Sequence, residues 1–219
     1  MYYYVEDKNF LDKARSCCSR LLKELEENLR EKGINSQFFL VGSGGRNMIT
    51  QNENGPIDFD YNLNIISCPS WNDAKGIKEL VRKTFNQVMK KNSLNDVDDS
   101  TSSLTSKPMH FRDEPNTQFS IDLCIVTKDT GNEWQRLIHE KTGYINNDKY
   151  FWNTAPNSKK YSDKVKEIKF VGRWNLVRDE YLDIKNHYLR RNDYNHPSFV
   201  CYIEAVNNVY NHLRQKRII

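Results

Sequence analysis

No apolar run in this chain of 219 residues approaches the roughly 20 residues that a bilayer-spanning helix needs, so a membrane span is not expected. The opening Met1-Tyr2-Tyr3-Tyr4-Val5 runs straight into Glu6, Asp7 and Lys8, which is not a secretory leader, and the expected location is cytoplasmic. Cysteine is sparse: Cys17, Cys18, Cys68, Cys124 and Cys201 form an odd set without metal-ligand spacing. All but Cys68 fall in apolar helix or strand patterns, which predicts reduced, mostly buried thiols. A strong charge of one sign is missing too, since the formal net charge is +4. The one glycine run, Gly42-Ser43-Gly44-Gly45, is followed by no Gly-Lys-Ser/Thr and lacks the full dinucleotide fingerprint, which excludes a Walker-type phosphate loop. No internal repeat is visible.

What is present centres on residues 37–66. A short apolar strand, Gln37 to Val41, leads into the glycine turn, where the backbone can approach a ligand closely and Ser43 offers a hydroxyl and an amide to a terminal phosphate. In Ile57 to Ile65 the apolar Ile57, Phe59, Tyr61, Leu63 and Ile65 alternate with Asp58, Asp60, Asn62 and Asn64, the period of a half-buried strand. Asp58 and Asp60 therefore point to one face. Two carboxylates held that close repel unless one is protonated or a cation lies between them, which suggests a divalent metal. Phe119 to Val126 repeats the alternation with Phe119, Ile121, Leu123 and Ile125 on one face and Asp122 on the other, so a neighbouring strand can aim a third acid at the same cations.

These residues resemble the DNA polymerase beta-like nucleotidyltransferases, whose signature is a strand ending in Gly-Ser, an Asp-x-Asp strand and a later strand with one more acid. Val41-Gly42-Ser43, Asp58-Phe59-Asp60-Tyr61 and Ile121-Asp122-Leu123 match the three parts in order. Gly42 to Asn47 also looks like the Gly-Ser-x-x-Arg-Gly-Thr form of the oligoadenylate synthase, cyclic-dinucleotide synthase and poly(A) polymerase branches, except that Asn47 and Met48 stand where Gly-Thr is usual. The gap from Ser43 to Asp58 is slightly longer than usual, with 52–56 as a surface turn. The resemblance covers roughly the first two thirds of the chain. It implies catalytic and metal-binding roles for Asp58, Asp60 and Asp122, with two Mg2+ or Mn2+ ions. It implies nucleotide binding by Gly42, Ser43 and Arg46, an NTP substrate, and a helical lobe that closes over the nucleotide.

Other readings of the same residues are weaker. An EF-hand fails because Leu63 stands where its glycine belongs and the flanks read as strand. The Asp-x-Asp of sugar-nucleotide glycosyltransferases follows several strand and helix units, whereas only one strand precedes Asp58. An exposed polar strand face is the plainest alternative.

Around this centre, 9–32 reads as a helix with Gly33 as its stop, and Pro69-Ser70 introduces a second helix capped by Ser70. Residues 92–106 read as a mobile surface loop, and 107–112 with 117–126 as a hairpin through 113–116. In that hairpin Arg112 faces a phosphate or, more simply, a surface acid. A short helix is expected around 133–141, a longer one over 161–192 with a break near Gly172, and a last one opening at Pro197. Lys160, Lys164, Lys169 and Arg173 are candidates for the triphosphate, and Trp152, Tyr161 and Trp174 for stacking on a base or for the core. Residues 1–149 hold 20 basic and 22 acidic side chains, while 150–219 hold 13 and 7. A basic C-terminal part suits a polyphosphate or an RNA acceptor, although solvated helix faces account for such an excess equally well.

The expected fold is α/β (α+β): a nucleotidyltransferase core of small mixed sheet and helices over 1–149, with a helical lobe over 150–219. The expected function is metal-dependent transfer of an NMP unit from an NTP to an acceptor, which could be RNA, a nucleotide, a protein or a small molecule. The alternatives are a catalytically silent nucleotide- or RNA-binding relative, and a toxin-like or antiviral nucleotide-modifying enzyme.

Overall fold

The computed structural model describes residues 1–193 and 196–219. In chain order the strands and helices are β1 (Tyr2–Tyr4), α1 (Lys8–Glu31), β2 (Asn35–Leu40), the single turn α2 (Gly42–Gly45), β3 (Thr50–Asn52), β4 (Ile57–Ser67) and α3 (Ala74–Lys91). Then follow β5 (Asp98–Asp99), β6 (Leu104–Thr105), β7 (Met109–Phe111), β8 (Glu114–Lys128), β9 (Trp134–Glu140), β10 (Lys149–Thr154), α4 (Ser162–Phe170), α5 (Trp174–Arg190) and α6 (Ser198–Gln215). They divide into two compact units, one made of 5–46 and 54–155, the other of 1–4, 47–53 and 156–219. Among the described residues no helix is long and apolar enough to cross a membrane.

The first unit is a mixed sheet in the order β10-β9-β8-β4-β2, with β6 and β7 also paired to β8 and β5 paired to β6. Strands β4 and β8 lie parallel at its centre, and their apolar alternation is realised: Ile57, Phe59, Tyr61 and Leu63 are buried alongside Phe119, Ile121 and Leu123. Helix α1 covers this apolar face, where Phe10 meets Phe119 edge-on at 6.1 Å. Asp7 caps the helix by accepting from the Phe10 amide at 2.9 Å, and Gly33 at φ +83 turns the chain into β2.

Several local expectations are corrected. Residues 133–141 form no helix: β9 pairs with β8 and β10 through antiparallel ladders that outweigh the local pattern. Helix α3 starts four residues after Ser70, with Asp73 accepting from the Gly76 amide at 2.8 Å. The stretch 92–106 is no surface loop, because Val97, Leu104 and Ser106 are buried and β5 and β6 join the sheet. The hairpin before Asp122 exists, with its turn tightened to Arg112-Asp113 between β7 and β8.

The second unit is built on α4, α5 and α6, broken at Gly172 (φ +68) as the sequence suggests. Val177, Tyr181, Cys201, Ala205, Val206 and Leu213 form its core, which also takes in Met48. Strands β1 and β3 pair antiparallel in this unit.

Candidate active site

The three acids lie on two neighbouring strands of the sheet. In the parallel pairing of β4 and β8, Asp60 stands opposite Asp122 and Asp58 opposite Ser120. Pleating puts all four side chains on the face opposite the apolar one. Each outer carboxylate is held by a hydroxyl: Ser120 Oγ donates to Asp58 Oδ1 at 2.5 Å, and Thr105 Oγ1 donates to Asp122 Oδ1 at 2.5 Å. Burial lifts the Asp122 pKa above the usual carboxylate range and the Asp58 charge adds to this, against the lowering effect of the Thr105 hydrogen bond.

The glycine turn is fastened to the same place. The Val41 amide donates to the Asp60 carbonyl at 2.8 Å, and the Gly45 amide closes the turn onto the Val41 carbonyl at 2.9 Å. Gly42 sits at φ +59, and a Cβ there would stand 2.1 Å from Asp60 Oδ2, so no other residue allows this approach of backbone to carboxylate. Arg46 Nη1 donates to the Gly42 carbonyl at 2.8 Å and braces the turn. Asn47 takes φ +57, the left-handed conformation that glycine or asparagine adopts most readily, which accounts for Asn at the usual Gly position. Met48, at the usual Thr position, is buried in the helical core of the second unit.

Farther along this face of β8, burial pushes the Cys124 thiol up to about 11, with Arg136 opposing and Asp60 and Asp122 adding to the rise. A thiol so placed is neutral and no nucleophile at ordinary pH. Of the basic candidates, Lys164 Nζ donates to Asn207 Oδ1 at 2.7 Å and Lys169 Nζ lies 4.6 Å over the Trp174 ring. Trp152 pairs with Trp71, ring centroids 6.2 Å apart.

Among the described residues, no three His, Cys, Asp or Glu side chains are gathered as a metal cluster as they stand. The donors nevertheless fit a hard divalent cation. They are carboxylate oxygens alone, and the buried, charge-crowded Asp122 is what a cation would relieve. Ser120 and Thr105 touch the acids, and the sequence patterns do not single them out. Ser120 has a signal, two residues before Asp122 on an alternating strand, whereas Thr105 reaches the site only through β6–β8 pairing.

No protein-family model and no curated protein sequence matches the chain. Solved structures do match in fold. CdnC of E. coli MS115-1 with ATP is 16% identical with a TM-score of 0.56, over 93% of this chain and 61% of that one. The CdnC:HORMA-deltaN complex from E. coli MS115-1 gives 16% and 0.56, over 93% and 60%. The chain thus spans about three fifths of the length of these structures. CdnC is a CD-NTase of the nucleotidyltransferase superfamily, and the fold of this chain is the nucleotidyltransferase fold that its motifs suggest.

Proposed function

We propose that the chain is a metal-dependent nucleotidyltransferase that moves an NMP unit from an NTP to an acceptor, with the chemistry in the unit that carries the sheet. The observation that carries this reading is the register of Asp60 with Asp122 on adjacent parallel strands, beside a glycine turn that touches Asp60. Asp58, Asp60 and Asp122 would hold two Mg2+ or Mn2+ ions, which would supply charge stabilisation for an in-line displacement at phosphorus.

The rest is done by the chain. Gly42 and Ser43 present backbone amides and a hydroxyl to the β- and γ-phosphates, and Arg46 keeps the turn in that shape. Asp122 would accept the proton of the attacking hydroxyl. ATP in the CdnC structure supports an NTP as substrate. The acceptor is open between RNA, a nucleotide, a protein and a small molecule.

The test is pyrophosphate release from each NTP with Mg2+ or Mn2+, alone and with total RNA, beside equilibrium NTP binding. Asp60→Asn should abolish both metal-dependent binding and release, whereas Asp122→Asn should keep binding and lose about 10²–10⁴ in rate. A second reading, binding without turnover, is favoured by the way Asp58 and Asp122 are each turned onto a hydroxyl. Tight metal-dependent binding with no release, even when cell extract supplies acceptors, would establish it instead.

A further inference from the structure

The Asp98–Asp99 and Leu104–Thr105 strands are anchored by a buried set of charges. Lys78 of α3, 2% exposed, has Nζ 2.7 Å from Asp99 Oδ1 and donates to the Ser100 carbonyl at 2.7 Å. His139 of β9, its side chain 7% exposed, has Nδ1 2.9 Å from Asp99 Oδ2 and Nε2 3.0 Å from Asp148 Oδ2. His139 therefore bridges Asp99 and Asp148 through its two ring nitrogens. Lys78, Asp99, His139 and Asp148 are thus linked in one buried set, and removing Asp99 takes from the buried Lys78 ammonium its carboxylate partner. Tyr150 stacks on the imidazole at 4.1 Å, and the His139 amide donates to the Thr101 carbonyl at 2.7 Å.

From this anchor the chain makes a serine turn closed on itself. The Ser100 amide donates to the Ser103 carbonyl at 3.0 Å, and the two hydroxyls are 2.8 Å apart. Thr105 then lands opposite Asp122 in the β6–β8 ladder, and the Ser106 amide donates to the Ile121 carbonyl at 2.9 Å. Asp99 pairs with Leu104 in the β5–β6 ladder, so the buried charges lie one residue along that ladder from the hydroxyl that holds Asp122.

We infer that Asp99, gripped by Lys78 and His139, is a positioning residue for the proposed reaction: it fixes the β5–β6 hairpin so that Thr105 orients the Asp122 carboxylate. Its effect on rate rests on the nucleotidyl-transfer reading; the anchor itself does not.

The experiment has two arms. In the metal-free protein, amide hydrogen exchange at Ser100 and Ser106 should accelerate about tenfold or more in Asp99→Asn, while Leu123 to Val126 of β8 keep their protection. In the loaded protein, Asp99→Asn and Thr105→Val should each lower kcat for pyrophosphate release about tenfold with KM for NTP little changed. Thr105→Ser should restore it, and the double variant should be no slower than either single one, because both cut the same linkage. Should Asp99→Asn fail to fold, Asp148→Asn, which leaves the Lys78–Asp99 pair in place, is read in the same way. Unchanged exchange at Ser100 and Ser106 in a folded variant overturns the anchor. Unchanged kcat in a folded Asp99 or Asp148 variant, or in Thr105→Val, overturns the positioning role. Wild-type protein that releases no pyrophosphate under any condition refutes the functional reading instead, and the exchange arm still decides the anchor.

Discussion

A methyl group at Gly42 would meet Asp60 Oδ2 at 2.1 Å on a backbone already at φ +59. Gly42→Ala should therefore cost about 1–3 kcal/mol and weaken NTP binding together with stability, read by melts with and without nucleotide. Asp122 predicts a pH dependence. Burial raises its folded pKa above the unfolded value, so its charged form is penalised in the native state. That penalty is absent below the unfolded carboxylate pKa, near 4, and grows as pH rises through the raised folded value. In chelator, Asp122→Asn should thus be more stable than wild type at pH 7 to 8, on the order of 1 kcal/mol, with the gain vanishing as pH falls towards 4. Melts across that range check it, and a variant less stable than wild type at pH 8 would contradict the sign.

At the scale of elements, strands with strict alternation are legible in the sequence and those defined by their partners are not. β4 and β8 announce themselves by period-two patterns, which is why the residue order alone puts Asp58 and Asp60 on one face and Asp122 on the polar side of its own strand. β9 reads as a helix because nothing within Trp134–Glu140 shows that β10 will pair with it along its whole length. The two-residue strands β5 and β6 are too short for any periodicity, so Thr105 has no local signal. The cap of α3 departs from expectation for a related reason: Ser70 and Asp73 are both good caps, and only the position where the chain starts to wind chooses between them. Asp73→Ala should cost about 1 kcal/mol in a thermal melt while Ser70→Ala stays within about 0.5 kcal/mol, and equal losses would reverse the assignment.

Taken whole, the molecule shows why a chain cannot be divided by sequence position alone. The helical unit draws on 1–4 and 47–53 as well as 156–219, and its core includes Met48. A truncation after Ala155 would leave Met48, now 1% exposed, without the helices that bury it. Such a protein should bind a hydrophobic dye and aggregate more than the full chain, and Met48→Thr in the truncated protein should reduce both. The sequence by itself determined the apolar alternation, the glycine turn and the common face of Asp58 and Asp60, since these depend on side-chain period and backbone freedom within a few residues. The tertiary structure alone decided that Asp60 faces Asp122, that Thr105 and Ser120 hold the outer acids and that Met48 serves the helical core. Those are contacts between residues far apart in the chain, fixed by strand register and packing, which no local pattern encodes.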